Sequence, residues 1–235
     1  AALPLYLAVP VVALLTVALG FVIEKIAYKP LRSAPRMSVM ISAIGVSYLL
    51  QNLALYVTGG LNKTYPTIPW ISDQVDLFGA TTKRVTLITP VLTIILVILL
   101  VQLINHTKVG MAMRAVAKDF ETSQLMGIKI NNVISVTFII GSFLAAVGSM
   151  LYFSNYPGVV PTSGAMPGLK AFVAAVFGGI GSIPGAVIGA FIIGVFESLI
   201  KGLDTILTTF HIIQSPLELS TFSDAFTFVL LIVIL

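Results

Sequence analysis

The stretch Thr86–Ile104, TLITPVLTIILVILLVQLI, runs for nineteen residues without a charge. A hydrocarbon core of about 30 Å takes about 20 helical residues to cross, so this stretch reads as a membrane span. Its apolar residues are continuous rather than alternating, which selects a helix over a barrel strand. Composition agrees across the chain. Hydrophobic residues make up 57% and charged residues 9%, whereas a soluble domain carries about a quarter charged residues.

Working outward from that span, apolar segments fall at roughly 4–23, 37–58, 85–104, 133–153, 168–181, 184–200 and 224–235. The first four are long enough to span and are expected to hold no ionisable residue. The fifth and sixth are short and separated by a Gly181-Ser182-Ile183-Pro184-Gly185 break. They fit either two short spans or a re-entrant pair of half-helices. The final segment stops while still apolar and the chain does not begin with Met, so it reads as the core of a longer protein lacking both terminal segments. The expected architecture is all-α: a polytopic transmembrane helical bundle forming a single domain over 1–235.

Orientation follows from Lys and Arg in the short loops. Lys25, Lys29, Arg32 and Arg36 occupy the 24–36 loop, and Lys108, Arg114, Lys118 and Lys129 the 105–132 loop. These two loops are expected on the cytoplasmic side. The loop bearing Trp70, Asp73 and Asp76 then faces outward. Cysteine is absent, which excludes disulfides and thiolate chemistry. His106 and His211 are isolated, so no metal site is expected. The net charge of +4 is dispersed among loops and gives no nucleic-acid footprint.

Within 105–132, Val109, Met113, Val116 and Phe120 recur at spacings of four, three and four. That pattern predicts one face of an amphipathic helix, with Gly127 as its stop. Such a helix either lies in the lipid interface or fills a groove on a partner. Gly178, Gly179, Gly181, Gly185, Gly189 and Gly194 cluster with Pro184 among them and have a double reading as well: close helix packing, on the four-residue spacing of Gly181, Gly185 and Gly189, or a broken helix lining a transport path. Ser42, Ser47, Gln51 and Asn52 share one span and either line a polar path or bond between helices. Glu197 is an ionisable residue inside an apolar run, either a functional candidate by default or, near the end of its segment, a group that simply reaches interfacial water.

The runs Thr107–Asp119 (TKVGMAMRAVAKD), Leu125–Ile128 (LMGI) and Val136–Ala146 (VTFIIGSFLAA) resemble the permeases of branched-chain amino-acid ATP-binding-cassette importers. The run Pro167–Ala186 (PGLKAFVAAVFGGIGSIPGA), followed by Glu197, extends the resemblance. The resemblance implies that 105–132 is a cytoplasmic coupling loop docking on an ATPase, with Val109, Met113, Arg114, Val116, Phe120, Glu121 and Gly127 as the coupling residues. The importer loop pattern is Glu-Ala-Ala, three residues, then Gly; Glu121, Thr122, Ser123 and Gly127 keep that register with both alanines replaced. It also implies a bacterial inner-membrane complex: a homologous permease subunit, two cytoplasmic ATPases and a periplasmic amino-acid-binding protein. ATP and Mg would sit on the partners, with no cofactor on this chain. The candidate pathway residues are Ser42, Ser47, Asn52, Gly178, Gly179, Gly181 and Pro184.

No phosphate loop of the Gly-x-x-x-x-Gly-Lys-Ser/Thr type occurs, so this chain is not expected to hydrolyse ATP. No nucleophile–base set is evident, and enzymatic activity is not expected. The alternative function is a secondary transporter or channel for a small solute; proton carriers need ionisable residues along their spans, and their lack in the four full-length spans argues against proton coupling, though not against sodium.

Overall fold

The computed structural model describes residues 5–31, 36–66, 73–77, 80–179, 181–209 and the single positions 225, 229 and 232. Among them are five helices long and apolar enough to cross a membrane, and a shorter apolar helix. The expected segment at 224–235 lies almost wholly outside the described residues, as does Trp70.

The chain forms two compact units, residues 1–161 and 162–235. In the first, α1 (Leu5–Ile23) runs on through a π turn (Glu24–Tyr28) and a 3-10 turn (Lys29–Leu31). Next come α2 (Arg36–Thr58), β1 (Lys63–Thr64), β2 (Gln74–Leu77), β3 (Ala80–Lys83), α3 (Arg84–His106), α4 (Lys108–Lys118), α5 (Phe120–Leu125), α6 (Ile130–Asn155) and β4 (Gly158–Val159). The most extensive helix pairing in this unit joins α1 to α6, and α3 and α4 also pack on α6. The second unit holds α7 (Ala165–Phe177) and α8 (Ile183–Thr209).

Several threonine hydroxyls inside the spans are satisfied by their own helix. Thr16 donates to Val12 O, Thr89 to Val85 O, Thr93 to Thr89 O and Thr137 to Val133 O, each four residues back. This keeps hydroxyls tolerable where no water is available. Large apolar side chains such as Leu14, Ile41 and Phe191 are exposed, as a lipid-facing surface requires.

The non-helical pieces organise the ends of the first unit. Lys63 and Thr64 pair antiparallel with Val159 and Gly158, and Lys83 Nζ donates to Asn155 O at 3.2 Å. These bonds join the 59–84 loop to the residues after α6, two segments that the charge pattern puts on one side. β2 and β3 form a hairpin closed by the Arg84–Asp73 ion pair at 3.6 Å.

Three expectations are corrected. Membrane-length helix continues in the first span to Leu31, so that span carries Glu24, Lys25 and Lys29 and is not free of ionisable groups. The chain stays helical there because a π turn absorbs the extra residue instead of ending the helix. The Gly/Pro-broken pair is not two short helices: α7 has 13 residues but α8 has 27, about 20 and 40 Å of helix. Pro184 lies in the first turn of α8, where its missing N–H costs nothing, so it starts a helix rather than breaking one. Finally, Gly181 is a turn residue with φ +100°, outside the helix-packing stripe assigned to Gly181, Gly185 and Gly189.

Close packing is instead carried by Gly178, Gly185 and Gly189. A Cβ on Gly185 would collide with the Gly178 carbonyl, and one on Gly178 with the Gly185 backbone. Beside this contact, Val173, Ala174 and Ile193 form a buried cluster. Gly185→Val should therefore force α7 and α8 apart and cost about 1–3 kcal/mol. Gly194→Ala, where an added methyl meets open space, should cost nothing. Thermal unfolding in detergent checks both, and equal melting of the two variants would contradict the close contact.

Candidate functional site

The 105–132 segment is built by local capping. After α3, Thr107 turns the chain: its side chain accepts from Gly110 N at 3.0 Å. Gly110 is buried against the Ile104 backbone, where a Cβ would not fit. At the other end of α4, Asp119 adopts an extended conformation (φ −149°, ψ 110°) and starts α5. Its Oδ1 accepts from Thr122 N at 3.1 Å and its Oδ2 from the Thr122 hydroxyl. Those bonds hold the Asp119 carboxyl below its ordinary range. Gly127, at φ +82°, ends α5. Ile128 N bonds Ser123 O and Gly127 N bonds Gln124 O, the Schellman arrangement that favours glycine at this position.

The segment is thus two helices at an angle, not the one helix the spacing predicts. Phe120 belongs to α5, so it does not continue the face of Val109, Met113 and Val116. The cause is Asp119, whose side chain offers the backbone a cap instead of another helical turn. Within α4, Met113 and Val116 are half-buried, while Val109 is exposed. Arg114 is turned back: its guanidinium donates to Asn105 Oδ1 at 3.3 Å and to Asn105 O at 3.4 Å. Glu121 and Phe120 are exposed.

The bend opens a groove of about 460 Å³ lined by Met111, Ala112, Ala115, Met126 and Ile128, with Lys108 and Asp119 among its polar residues. Met111 is 63% exposed, and Leu125 and Met126 are 87% and 78% exposed. Periodicity alone misses these three. Asp119, with Thr122 three residues on, was the available signal that the helix restarts and brings Met126 back over α4.

The other candidates fall into separate units. Ser42 is half-buried, and Ser47 and Asn52 are exposed on α2. Gln51 Nε2 donates to Ser47 Oγ at 3.1 Å, and Asn52 Nδ2 to Tyr48 O at 2.8 Å. In the second unit, Gly178 ends α7, and Gly179 and Gly181 take φ +92° and +100°. Ser182 then caps α8 by accepting from Gly185 N at 3.2 Å. Glu197 is inside α8, not at its end. Its Oε1 accepts from Lys170 Nζ at 2.8 Å and from Lys201 Nζ at 2.6 Å. This triad ties α7 to α8, a pairing that spacing along the chain does not reveal.

The sequence profile of the branched-chain amino acid transport system permease component matches residues 1–235. The chain belongs to this permease family. It is 37% identical over 222 residues to the high-affinity branched-chain amino acid transport system permease protein LivH of Salmonella typhimurium strain LT2, covering 93% of this chain and 67% of that protein. Identity to Escherichia coli K12 LivH is 36% over the same length, again covering 93% of this chain and 67% of that protein. To the permease protein BraD of Pseudomonas aeruginosa it is 38% over 188 residues, 79% of this chain and 61% of that protein. No solved structure matches. The permease is a multi-pass inner-membrane transport component rather than an enzyme, and membership implies partners of the ATP-binding-cassette kind.

Both charged features can be tested by substitution. Glu197→Ala leaves two ammonium groups without their carboxylate. Allowing for partial exposure, about 1–3 kcal/mol of stability should be lost, read as a lower melting temperature, and Lys170→Met in the same chain should restore part of it. For Asp119 the folded carboxyl is the stronger acid, so its cap is fully present above the unfolded pKa and lost as pH falls through the folded value. Hydrogen exchange at Thr122 and Ser123 should accelerate only in that acidic window, and Asp119→Ala should show the fast exchange at neutral pH.

Proposed function

We propose that this permease is the membrane-spanning subunit of an ATP-binding-cassette importer that carries branched-chain amino acids, or related small amino acids or amides, into bacterial cells. Its relatives' names supply the substrate class. The proposed assembly contains a homologous permease subunit, so that the pathway is a heterodimer, together with two cytoplasmic ATPases and a periplasmic amino-acid-binding protein. ATP and Mg belong to the ATPases, and this chain binds no cofactor.

The observation that carries the reading is the bent, capped α4–α5 segment with its open apolar groove. A partner side chain entering between Met111 and Met126 would bury apolar area that water now touches, at about 25 cal/mol per Å². Because both helices are capped and α4 and α5 pack on α6, a displacement of the segment is passed to a span as a rigid body. Val109, Phe120 and Glu121 offer the outer rim of that contact. Met113, Val116 and Arg114 hold the segment to its own bundle, and Gly127 sets the exit angle toward α6. ATP-driven closure of the ATPase pair would thereby change which side of the membrane the pathway opens to. For the pathway, Ser42, Ser47 and Asn52 supply polar groups on a span. Gly178, Gly179, Gly181 and Pro184 supply a turn whose small residues leave backbone accessible to a zwitterion.

Met111→Glu and Phe120→Glu place charge in this contact while leaving the spans untouched. Each should cut ATPase co-purification and ATP-driven uptake by about tenfold at normal levels of membrane-inserted chain. Full uptake in both variants would refute the docking role.

A further inference from the structure

Glu24 is completely buried, and Ser135 Oγ donates to its Oε2 at 2.9 Å. Burying an ionisable group is costly unless it is well bonded, so its placement calls for a role. Glu24 opens the π turn of the first span: Lys29 N bonds Glu24 O, five residues back. The extra residue rotates the helix beyond it, and such turns mark functional positions in helices. In this turn Glu24 meets Ser135 and, four residues on, Tyr28 meets Phe138, with ring centroids 5.1 Å apart. Lys25 is left outside, 5.3 Å over the Phe21 ring. Both α6 contacts lie within nine residues of Ile130, where α6 emerges from the 105–132 segment. Ile130 is buried, and α4 and α5 pack on the same helix.

We propose that Glu24 is a positioning residue that clamps the inner end of the first span to the base of α6, so that displacement of 105–132 moves both spans together. This rests on the docking role proposed above for that segment. Glu24 and Tyr28, four residues apart, share one face of the helix, and the two side chains make a two-point contact with α6. The Glu24–Ser135 hydrogen bond resists sliding, and the Tyr28–Phe138 contact resists rotation.

The test uses the complete transporter with its ATPases in proteoliposomes and reads substrate moved per ATP hydrolysed. Ser135→Ala and Glu24→Leu should lower that ratio roughly three- to tenfold while the ATPases stay assembled and hydrolyse ATP. Glu24→Gln, whose amide oxygen still accepts from Ser135, should stay within about twofold of the unmodified chain. A merely stabilising contact would change yield or melting but not this ratio. An unchanged ratio in Ser135→Ala overturns the clamp. A second measurement avoids dependence on Glu24→Leu folding. The chain has no cysteine, so Glu24→Cys with Ser135→Cys can be bridged by a short bifunctional thiol reagent. Uptake should be low before bridging and recover afterwards; bridging that blocks uptake overturns the clamp. If the unmodified complex shows no ATP-driven uptake, the importer reading itself falls and takes the clamp with it. Normal uptake with an indifferent Ser135→Ala removes the clamp alone.

Discussion

Inside a bilayer no water is available to a bare N–H or C=O, and each such group left unsatisfied costs several kcal/mol. Every span described in this permease answers that constraint with a helix, and between the spans the helix ends are closed by identifiable partners. Thr107, Asp119 and Ser182 side chains receive early amides of α4, α5 and α8. The glycines at 127 and 179 lie where helices end and chain direction changes. Thr16, Thr89, Thr93 and Thr137 return their hydroxyls to their own helices. The fold is largely the set of ways this chain avoids a bare peptide group.

Charge is handled by the same economy. Glu24 is enclosed and meets a serine hydroxyl. Glu197 takes two ammonium groups on one oxygen. Each joins two helices, and each does so where close approach would otherwise rest on weak apolar contacts. Lipid tails are as apolar as leucine side chains, so spans gain little from hydrophobic burial against each other. Polar ties and small residues take over that role: the Gly178–Gly185 contact brings α7 and α8 close, and the Lys170–Glu197–Lys201 triad binds the same pair.

The 105–132 segment shows how a rigid bend is made from short elements. Alone, helices of 11 and 6 residues are too short to be stable in water. They persist here because their ends are capped and because α4 packs against α3 and α6. The outcome is an elbow with an apolar inner angle, the feature on which the proposed docking role rests. Tertiary support therefore turns a marginal sequence into a fixed bend.

Much of this was legible in the residues themselves. Continuous apolar runs of span length determined the helical membrane class, the loop charges grouped the ends, and Gly127 marked a helix stop, because length, charge and φ preference are local properties. The runs around 107–146 and 167–186 carried the family. What the chain could not reveal alone was which residues meet. Asp119 capping a new helix, Met111 facing Met126 across a bend, and Lys170 sharing Glu197 with Lys201 depend on how separate helices are placed. Glu24 looked like a loop residue because its neighbours Lys25 and Lys29 are charged. Only the packing of α1 on α6, 111 residues away in the chain, made its burial favourable and extended the helix past it. Local sequence sets what each segment is able to form; the long-range contacts decide which of those forms is kept.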